Sequence, residues 1–585
     1  MFLSEYPSPS RFFKHSLETF LSLLLLSACS PDNDALPGDD DTGNTPPAAL
    51  RIEVSASDFT SATTRSNAGS NNNIDGNNAA TRATDNGAVT TFESGDRIGI
   101  IVLDGSGNVL SDNIPYKYNG SAWSFDNANG EGKTALYYDN KATAYVAYFP
   151  YSPEADGITG ADIPAALKAQ FPPRYDQRTE DAYRASDLLV WNNGTGSVPL
   201  KTLEIEFTHA YSSLSLSPSI KCKIDGKETS YIPSSVDDVS FTIGTEPLLP
   251  YRADDGSYRI IVSPQTTDAR WFYAYGGTMH SGTMSETTLA ANIRHTLAPT
   301  LKDIGAYTFA NAQVGDFYCK NDNNEGYLIP GDIVSPTQEQ QKACIGIVYS
   351  TDVSRIGTAA KQALKKKEVN TPHGLVMALT NASEGCRWGE SSKDENSGGA
   401  DGAPFKANTD KVYKMYNNVD GYGETHWIIE TYGRNGNTAL KNTYTAFYHA
   451  SRYGTAESST GRYAAPEKTT GWFIPGMGQW WDILSNLGKI DLTSYQDKID
   501  GSISIPSAAQ IAVANMNSYL QKISDATQFS MDTWFWSSSE YYSGNACTVN
   551  FFSNDDLYLY SDDDLYLFSN IKSYGNDRVR CSFAF

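Results

Sequence analysis

The chain has 585 residues, enough for about two to four domains, and its 45 Lys and Arg against 68 Asp and Glu give a formal net charge of −23 at pH 7. An acidic surface repels phosphate backbones and anionic lipid headgroups, which argues against nucleic-acid binding. Aromatic residues make up 12% of the chain, with 36 tyrosines, and charged residues only 19%, which favours short strands joined by turns over a helical cytosolic enzyme.

The N-terminal segment predicts export. Arg11 and Lys14 precede an apolar run at residues 20–26, which is far too short to cross a bilayer of about 30 Å as a helix. A basic start, a short apolar run and small residues before a cleavage point are typical of a secretory signal peptide. We therefore expect residues 1–28 to be removed.

The residues around the predicted cleavage point, Leu26-Ser27-Ala28-Cys29, resemble the lipobox of bacterial lipoproteins. This resemblance implies that Cys29 is lipidated; the alternative is an ordinary signal peptide with a chance cysteine. The acidic residues that follow resemble the signal that sends lipoproteins to the cell surface in Bacteroidales-type bacteria. Residues 29–48 would then be an acidic, Pro- and Gly-containing tether, and the lipid the only contact with the outer membrane.

Short apolar runs predict strands throughout residues 49–308, at spacings of about 8–12 residues that favour β-sandwiches. The predicted strands are residues 50–54, 97–103, 144–149, 187–191, 203–207, 213–216, 258–262 and 271–273. Residues 55–90 are dominated by Ser, Thr, Asn, Ala and Gly, which predicts a long flexible loop.

Five short motifs follow one another through the same part of the chain. They are residues 92–100 (FESGDRIGI), 147–151 (AYFPY), 186–191 (SDLLVW), 207–210 (FTHA) and 261–265 (IVSPQ). In this order they resemble the motifs of fimbrillin-family proteins. The resemblance implies two transthyretin-like β-sandwiches, over residues 49–200 and 201–308, in a surface pilus subunit.

The same resemblance implies how such a subunit assembles. In fimbrillins an arginine-specific protease cuts after the first strand, and a neighbouring subunit donates a strand to the groove that opens, which is β-augmentation. In this chain the cut would fall in the 55–90 loop, after Arg82 or, as second choice, after Arg65. The alternative is an uncut lipoprotein that shares only the fold.

Residues 309–585 have a different character. Strands are predicted at residues 315–318, 344–349, 533–540 and 578–583, and helices at 477–487 and 508–523. In the first helix Trp480, Trp481, Leu484 and Leu487 recur at helical spacing. This pattern favours a packed core over a ligand platform.

A region near the C-terminus has an unusual composition. Residues 553–571, SNDDLYLYSDDDLYLFSNI, use seven residue types and contain a near repeat offset by eight positions. All seven types are encoded by NNC codons and can be reached from the Asn codon AAC by changes at its adenines. Glu, Gln, Lys, Met and Trp cannot be reached in this way, and none of them occurs in the window. Together with flanks at 536–540 (WSSSE) and 578–581 (RVRC), the window resembles the variable region of target proteins of diversity-generating retroelements. This resemblance implies an α+β, C-type-lectin-like domain over 309–585, with a variable region at about 537–581.

Alternate residues of 557–560 and 565–568 face opposite sides of a strand, so one side exposes either aromatics or leucines. Tyrosine is favoured in binding surfaces, and the aspartates bias the surface toward cationic partners. The candidate ligand-binding residues are Tyr541, Tyr542, Ser543, Asn545, Asn550, Phe552, Asp555, Asp556, Tyr558, Tyr560, Asp562, Asp564, Tyr566, Phe568, Ser573 and Tyr574. The alternatives are an acidic turn region with half-buried strands, and a calcium site, although no EF-hand loop is present.

Six cysteines besides Cys29 are too sparse for a disulfide scaffold. Cys547 and Cys581 lie in the last strand-like segments and are the candidate disulfide. No C-x-x-C occurs, which excludes a zinc ribbon.

Enzymatic motifs are missing. The sequence has no G-x-S-x-G and no H-E-x-x-H, and the segment ending in Gly132-Lys133-Thr134 has Asn127 where a P-loop needs its first glycine. The C-type-lectin-like fold also occurs in formylglycine-generating oxidases, which use a reactive cysteine pair. Cys547 and Cys581 invite that comparison, but no active-site signature accompanies them. We predict no catalysis, no cofactor and no metal.

The sequence thus predicts a mainly β cell-surface adhesin, specifically a pilus tip subunit. Its partners would be other pilus subunits, through strand donation, and a protein or glycan on another cell, a phage or a host surface. Nucleic acid is not expected as a partner. The competing hypotheses are a lipid-tethered binding protein outside any pilus and an enzyme of the oxidase type.

Overall fold

The computed structural model of the protein describes residues 49–61, 90–194, 199, 201–395, 415–434, 436–456, 458–497, 502–553 and 563–585. Cys29, Arg65 and Arg82, and with them the predicted signal peptide, tether and cleavage sites, lie outside these residues. The described part is mainly β, as predicted. None of its helices is long and apolar enough to cross a membrane.

The described residues up to His209 contain eight strands and two helices. The strands are β1 (Arg51–Ala56), β2 (Thr60–Ser61), β3 (Arg97–Asp104), β4 (Val109–Tyr118), β5 (Trp123–Phe125), β6 (Ala142–Phe149), β7 (Leu189–Asn192) and β8 (Thr202–His209). The helices are α1 (Ile163–Gln170) and α2 (Glu180–Arg184), and the side chains of Asp162 and Thr179 cap their first turns. Seven strands form one sheet in the order β1-β8-β7-β6-β3-β4-β5.

This seven-stranded sheet curves so that its edge strands, β1 and β5, contact each other. Apolar residues that alternate along the strands, such as Ile98 of β3 and Phe207 of β8, fill the enclosed core. The opposite face of the sheet packs against α1 and α2 and forms a second buried cluster, which includes Leu167 of α1. β1 lies at one edge, pairs parallel to β8 and buries Ile52 in the enclosed core.

Residues 212–306 form eleven further strands. They are β9 (Ser212–Leu216), β10 (Ser219–Ile224), β11 (Lys227–Tyr231), β12 (Asp237–Ile243), β13 (Glu246–Leu248), β14 (Tyr251–Arg252), β15 (Tyr258–Val262), β16 (Gln265–Tyr275), β17 (Thr278–Leu289), β18 (Ile293–Leu297) and β19 (Thr300–Ala306). A five-stranded sheet, β14-β15-β9-β18-β2, and a four-stranded sheet, β13-β12-β16-β17, share one core that includes Leu214, Phe241 and Ile260. Two sheets around a common core make this part a β-sandwich.

The remaining sheet, β11-β10-β19, connects this sandwich to the C-terminal residues. Ile220 and Cys222 of β10 and Tyr231 of β11 lie in the same buried cluster as Phe317 and Ile329. Residues on either side of the predicted boundary at 308 therefore pack in one continuous core.

The C-terminal part combines one large sheet with helices. Its described strands are β20 (Phe317–Lys320), β21 (Gly326–Ile329), β22 (Cys344–Ser350), β23 (Leu375–Cys386), β24 (Ile503–Ile505), β25 (Thr533–Tyr542), β26 (Asn545–Phe551), β27 (Leu565–Ile571) and β28 (Asp577–Ala584). Its described helices are α3 (Gln338–Ala343), α4 (Thr358–Lys366), α5 (Gly421–Tyr432), α6 (Thr438–Asn442), α7 (Thr445–Arg452), α8 (Met477–Asn486) and α9 (Ala509–Leu520). The strand order is β21-β20-β22-β23-β28-β25-β26-β27-β24.

Both helices predicted in this part are present, as α8 and α9. Trp480 and Trp481 of α8 are buried in the large C-terminal core, which confirms their predicted packing role. The other described helices of this part, α3 to α7, were not predicted.

Candidate functional site

The predicted variable region contains most of β25 together with β26, β27 and much of β28, and the first three of these strands are adjacent. Antiparallel pairing places their residues in continuous rows. One face, here called the inner face, consists of residues that are fully buried: Phe535, Val549, Phe551, Leu565 and Leu567. The opposite face, here called the outer face, consists of their alternates: Trp534, Trp536, Thr548, Asn550, Tyr566 and Phe568. Trp536, Thr548 and Asn550 are buried there, and the other three are exposed or half-buried.

The register decides which side chains of β27 are exposed. Leu565 and Leu567 pack into the core, whereas Tyr566 is half-buried and Phe568 is 38% exposed. The ring of Trp534 meets Phe568 edge-on with centroids 6.5 Å apart, and Phe552 meets Tyr566 at 6.1 Å. The outer face therefore presents aromatics, and the leucines serve the core.

Further candidate residues lie at the two ends of these strands. Tyr541 and Tyr542 stand at the end of β25 with ring centroids 5.3 Å apart, next to the turn into β26. Tyr574 lies in the turn after β27 and is 53% exposed. Phe552 and Asp564 are at the opposite end, where β26 ends and β27 begins.

The structure does not bring all the candidates together. Tyr541, Tyr542, Ser543, Asn545, Phe552, Asp564, Tyr566, Phe568, Ser573 and Tyr574 are exposed or half-buried. Asn550 is buried instead. Asp555, Asp556, Tyr558, Tyr560 and Asp562 lie outside the described residues.

Two buried polar groups of the outer face have no hydrogen-bond partner. Oγ1 of Thr548 and Oδ1 of Asn550 are unpartnered among the described residues, although their side chains are almost fully buried. In the sheet register Thr548 lies beside Phe568, and Asn550 lies between Trp534 and Tyr566. A buried polar group without a partner is costly, and because both atoms are buried they are not open to a ligand on this face.

A buried ion pair supports one end of the surface. Nζ of Lys572, in the turn after β27, contacts Oε1 of Glu540 on β25, and both side chains are 0% exposed. Lys572 also donates to the Lys393 carbonyl at 2.7 Å and lies 4.8 Å from the centre of the Trp388 ring. Burial raises the pKa of the Glu540 carboxyl, and the charge of Lys572 opposes that rise.

The sequence does not indicate this pair, because its members are 32 positions apart. Lys572 is the single cation between residues 541 and 577. An isolated Lys within an acidic stretch was the one signal that could have identified it.

A second polar network joins β25 to the helices beneath it. Glu424 of α5 accepts hydrogen bonds from Ser538 Oγ at 2.5 Å and from Asn418 Nδ2 at 2.7 Å. Ser539 Oγ in turn accepts from the backbone N–H of Met477, at the start of α8, at 2.9 Å. Burial raises the pKa of Glu424 to about 8, so the carboxyl is largely protonated at neutral pH.

The candidate disulfide between Cys547 and Cys581 is not present. Both residues are free, fully buried thiols, on β26 and β28, and β25 lies between those strands. Two interstrand spacings amount to roughly 9–10 Å, beyond the limit of about 7 Å between the Cα atoms of a disulfide. Burial raises the pKa of both thiols, which opposes the reactive thiolate that oxidase chemistry needs.

No group of three or more His, Cys, Asp or Glu side chains is arranged to hold a metal ion in the part of the chain that the structure describes. The calcium alternative rested on the dense aspartates of this region, of which Asp555, Asp556 and Asp562 lie outside that part and Asp563 and Asp564 within it.

Residues 81–316 match the family model described as fimbrillin-like. A Bacteroides ovatus protein named "Putative fimbrium tip subunit Fim1C" is 27% identical over 517 residues, which are 81% of this chain and 86% of that protein.

Solved structures show more distant similarity. A fimbrial protein from Bacteroides ovatus is 20% identical, with 92% of this chain and all of that chain covered and a TM-score of 0.37. A fimbrial assembly protein from Parabacteroides distasonis is 8% identical, with 40% of this chain and 92% of that chain covered and a TM-score of 0.23.

Proposed function

We propose that this protein is a cell-surface adhesin at the tip of a pilus, and that it binds its ligand through the outer face of β25–β27 and the turns at its ends. The proposal rests on where exposed apolar side chains concentrate. Of the 12 large hydrophobic side chains exposed in the described residues, five fall between residues 542 and 574. They are Tyr542, Phe552, Phe568, Ile571 and Tyr574.

Clustered exposed aromatics are typical of interaction surfaces, because a rigid ring buries a large area on binding and loses little conformational entropy. Asp564 adds negative charge at one end, which favours cationic or hydroxyl-rich ligands. Proteins and glycans both fit this chemistry.

Assembly by donor-strand exchange has two supports. β1 is an edge strand that, among the described strands, pairs with β8 alone, and its removal would uncover Leu203, Ile205 and Phe207 for a strand from a neighbouring subunit. β28, by contrast, lies between β23 and β25 in the nine-stranded sheet, so it is not free to be donated. A subunit that accepts a strand and gives none suits the tip of a pilus, and the similar Bacteroides ovatus protein bears the name of a fimbrium tip subunit.

The proposal also includes diversification of the binding surface by a retroelement. Its support is the restricted residue alphabet of 553–571 and the alternation in β27, where the aromatics face outward. Deep sequencing of codons 530–585 from many cells of one culture tests it. Substitutions concentrated at adenine positions of a nearby template repeat, with Trp536 and Arg580 unchanged, are expected. A uniform sequence across cultures, with no template repeat near the gene, would count against it.

The binding surface is tested with the purified full-length protein on glycan arrays and on fixed bacterial and epithelial cells. The variant Y542S/F568S/Y574S should lose at least tenfold in binding to whichever surface retains the wild type. The control Y138S/Y175S removes two tyrosines that are 46% and 63% exposed elsewhere, and it should bind like the wild type. Equal loss in both variants, or binding by the triple variant at wild-type strength, would refute the assignment.

A lipid-tethered binding protein outside any pilus is the second candidate, supported by the lipobox-like residues before Cys29. The mature N-terminus discriminates between the two. A start at Ala83 or Ser66 marks a processed pilus subunit, whereas an acylated Cys29 on the whole population marks a permanently tethered protein.

A further inference from the structure

Two cysteines that the sequence did not pair lie side by side at the start of the C-terminal part. Cys319 of β20 and Cys344 of β22 are directly opposite each other in an antiparallel strand pair. Their Sγ atoms are 2.8 Å apart, and both side chains are fully buried. No other cysteine pair in the described residues shows a sulfur–sulfur contact.

This arrangement meets the requirements of a covalent bond. Opposed residues of antiparallel strands have Cα atoms about 4.5–5.5 Å apart, within the range of about 4.4–6.8 Å that disulfides require. The sulfur atoms are closer than the separation of about 3.5–4.0 Å at which even carbon atoms rest without bonding. A shift of one residue in the register, between Tyr318 and Cys319, brings the two cysteines opposite each other.

We propose that Cys319 and Cys344 form a disulfide in the exported protein. The two thiols lose two protons and two electrons, and an S–S bond forms between the Sγ atoms. The electrons go to a protein disulfide of the thiol-oxidoreductase class in the cell envelope, which becomes a dithiol. The transfer passes through a mixed disulfide between that oxidant and one of the two cysteines.

Burial determines when this exchange takes place. Desolvation, reinforced by the neighbouring Cys344 sulfur, raises the pKa of Cys319 well above its usual value. Exchange requires a thiolate and access for the oxidant, so the bond forms before β20 and β22 close over it. Once the core has formed, the same burial shields the bond from reductants.

The bond would close a loop over a sequence separation of 25 residues that contains β21 and α3. β20 and β22 belong to the core that also takes in Ile220 and Cys222 of β10. The disulfide therefore constrains the chain where the second sandwich meets the C-terminal sheet. It limits the conformations of the unfolded loop and so favours the folded state.

Counting thiols tests the proposal with the full chain purified from the envelope of an exporting bacterium. The chain is unfolded in guanidinium with iodoacetamide and no reductant, and alkylation at the six described cysteines is mapped by mass spectrometry. Four should be alkylated, and the Cys319 and Cys344 peptides should remain linked until reduced. Alkylation of all six without reductant, or a link between any other pair, overturns the proposal.

Two variants test the assignment further through the number of alkylated cysteines. Both are measured on the denatured chain, so neither variant has to be stable. C319S releases Cys344 and should raise the number of alkylated cysteines from four to five, although one cysteine has been removed. The control C222S removes a buried cysteine outside the pair and should lower the number to three. A count of three for C319S would show that Cys319 had been a free thiol.

Discussion

Replacing Lys572 by Met is the most informative single perturbation of the candidate surface. The substitution keeps the length of the side chain but removes the cation that contacts the buried Glu540. It also removes the hydrogen bond to the Lys393 carbonyl and the contact with the Trp388 ring. Oε1 of Glu540 keeps one donor, the Glu395 N–H at 2.8 Å, and Oε2 has no donor among the residues that the structure describes.

Breaking a buried ion pair by removing one partner costs about 3–5 kcal/mol, because a buried charge is left uncompensated. K572M should therefore destabilise the C-terminal part by that amount at pH 7. Adding E540Q removes the unpaired charge, so K572M/E540Q should recover about half of the loss. The control R178M breaks an ion pair with Asp176 whose side chains are 65% and 53% exposed, and it should have almost no effect.

Tryptophan fluorescence during urea unfolding measures the effect. Seven of the ten tryptophans lie between residues 388 and 536, so the signal reports mainly on the C-terminal part. With a denaturant slope of about 3 kcal/mol per molar, K572M should lower the urea midpoint by roughly 1–1.7 M. A K572M midpoint equal to that of R178M, or a double variant less stable than K572M, would show that the pair does not support the fold as argued.

Three further predictions use the same assay. L567A should lower the free energy of unfolding by about 2–4 kcal/mol, because it opens a cavity in the inner face. F568A, next along β27 but 38% exposed, should lower it by less than about 1 kcal/mol. Equal losses would mean that the assigned faces are wrong. The pKa of Glu424 is about 8 in the folded state against 4.5 in the unfolded state, so the folded state binds the proton more tightly. The free energy of unfolding should therefore fall as the pH rises from about 4.5 to 8. E424Q should remove the contribution of Glu424 to this pH dependence, and an unchanged pH dependence in E424Q would contradict the prediction. G421A should lower the free energy of unfolding, because the new Cβ would lie 2.4 Å from the Gly476 nitrogen. The control G436A places its Cβ in open space, so it adds only backbone strain.

Apolar runs and alternation predicted eight of the 19 described strands between residues 49 and 306. These patterns succeed because they report burial, and short strands with few buried residues, such as β2 and β13, lack that signal. Helix prediction succeeded at α8, where Trp480 and Leu484 repeat at helical spacing. It failed at α5, which begins with Gly421 and Gly423, residues with poor helical propensity. Tertiary packing overrides that propensity, since the backbone of Gly421 lies against that of Gly476 and leaves no room for a side chain.

The candidate site was predictable in kind but not in arrangement. Alternation in β27 showed that leucines and aromatics face opposite sides, but only the register with β26 shows that Leu567 faces the core and Phe568 faces outward. The Cys547–Cys581 prediction failed because proximity in sequence order says nothing about β25, which separates their strands. Cys319 and Cys344 were missed because their pairing depends on a one-residue register shift.

The two faces of β27 make the proposed diversification testable at single positions. Leucine codons belong to the set reachable from AAC, so codon arithmetic alone allows Leu565 and Leu567 to vary as freely as Tyr566 and Phe568. The structure imposes a different rule, because both leucines are fully buried and a polar side chain there would lie in the core without a partner.

Among chains recovered from the cell surface, positions 566 and 568 should therefore carry varied polar and aromatic residues. Positions 565 and 567 should remain aliphatic, and Lys572, the partner of Glu540, should not change. The sequences of chains recovered from the cell surface are compared with those of unselected chains from the same culture. The comparison distinguishes the substitutions that mutation produces from those that the folded protein tolerates. Polar residues at 567 as frequent as at 568 in the recovered set would mean that β27 does not hold its leucines in the core, and the outer face would lose its claim to be the binding surface.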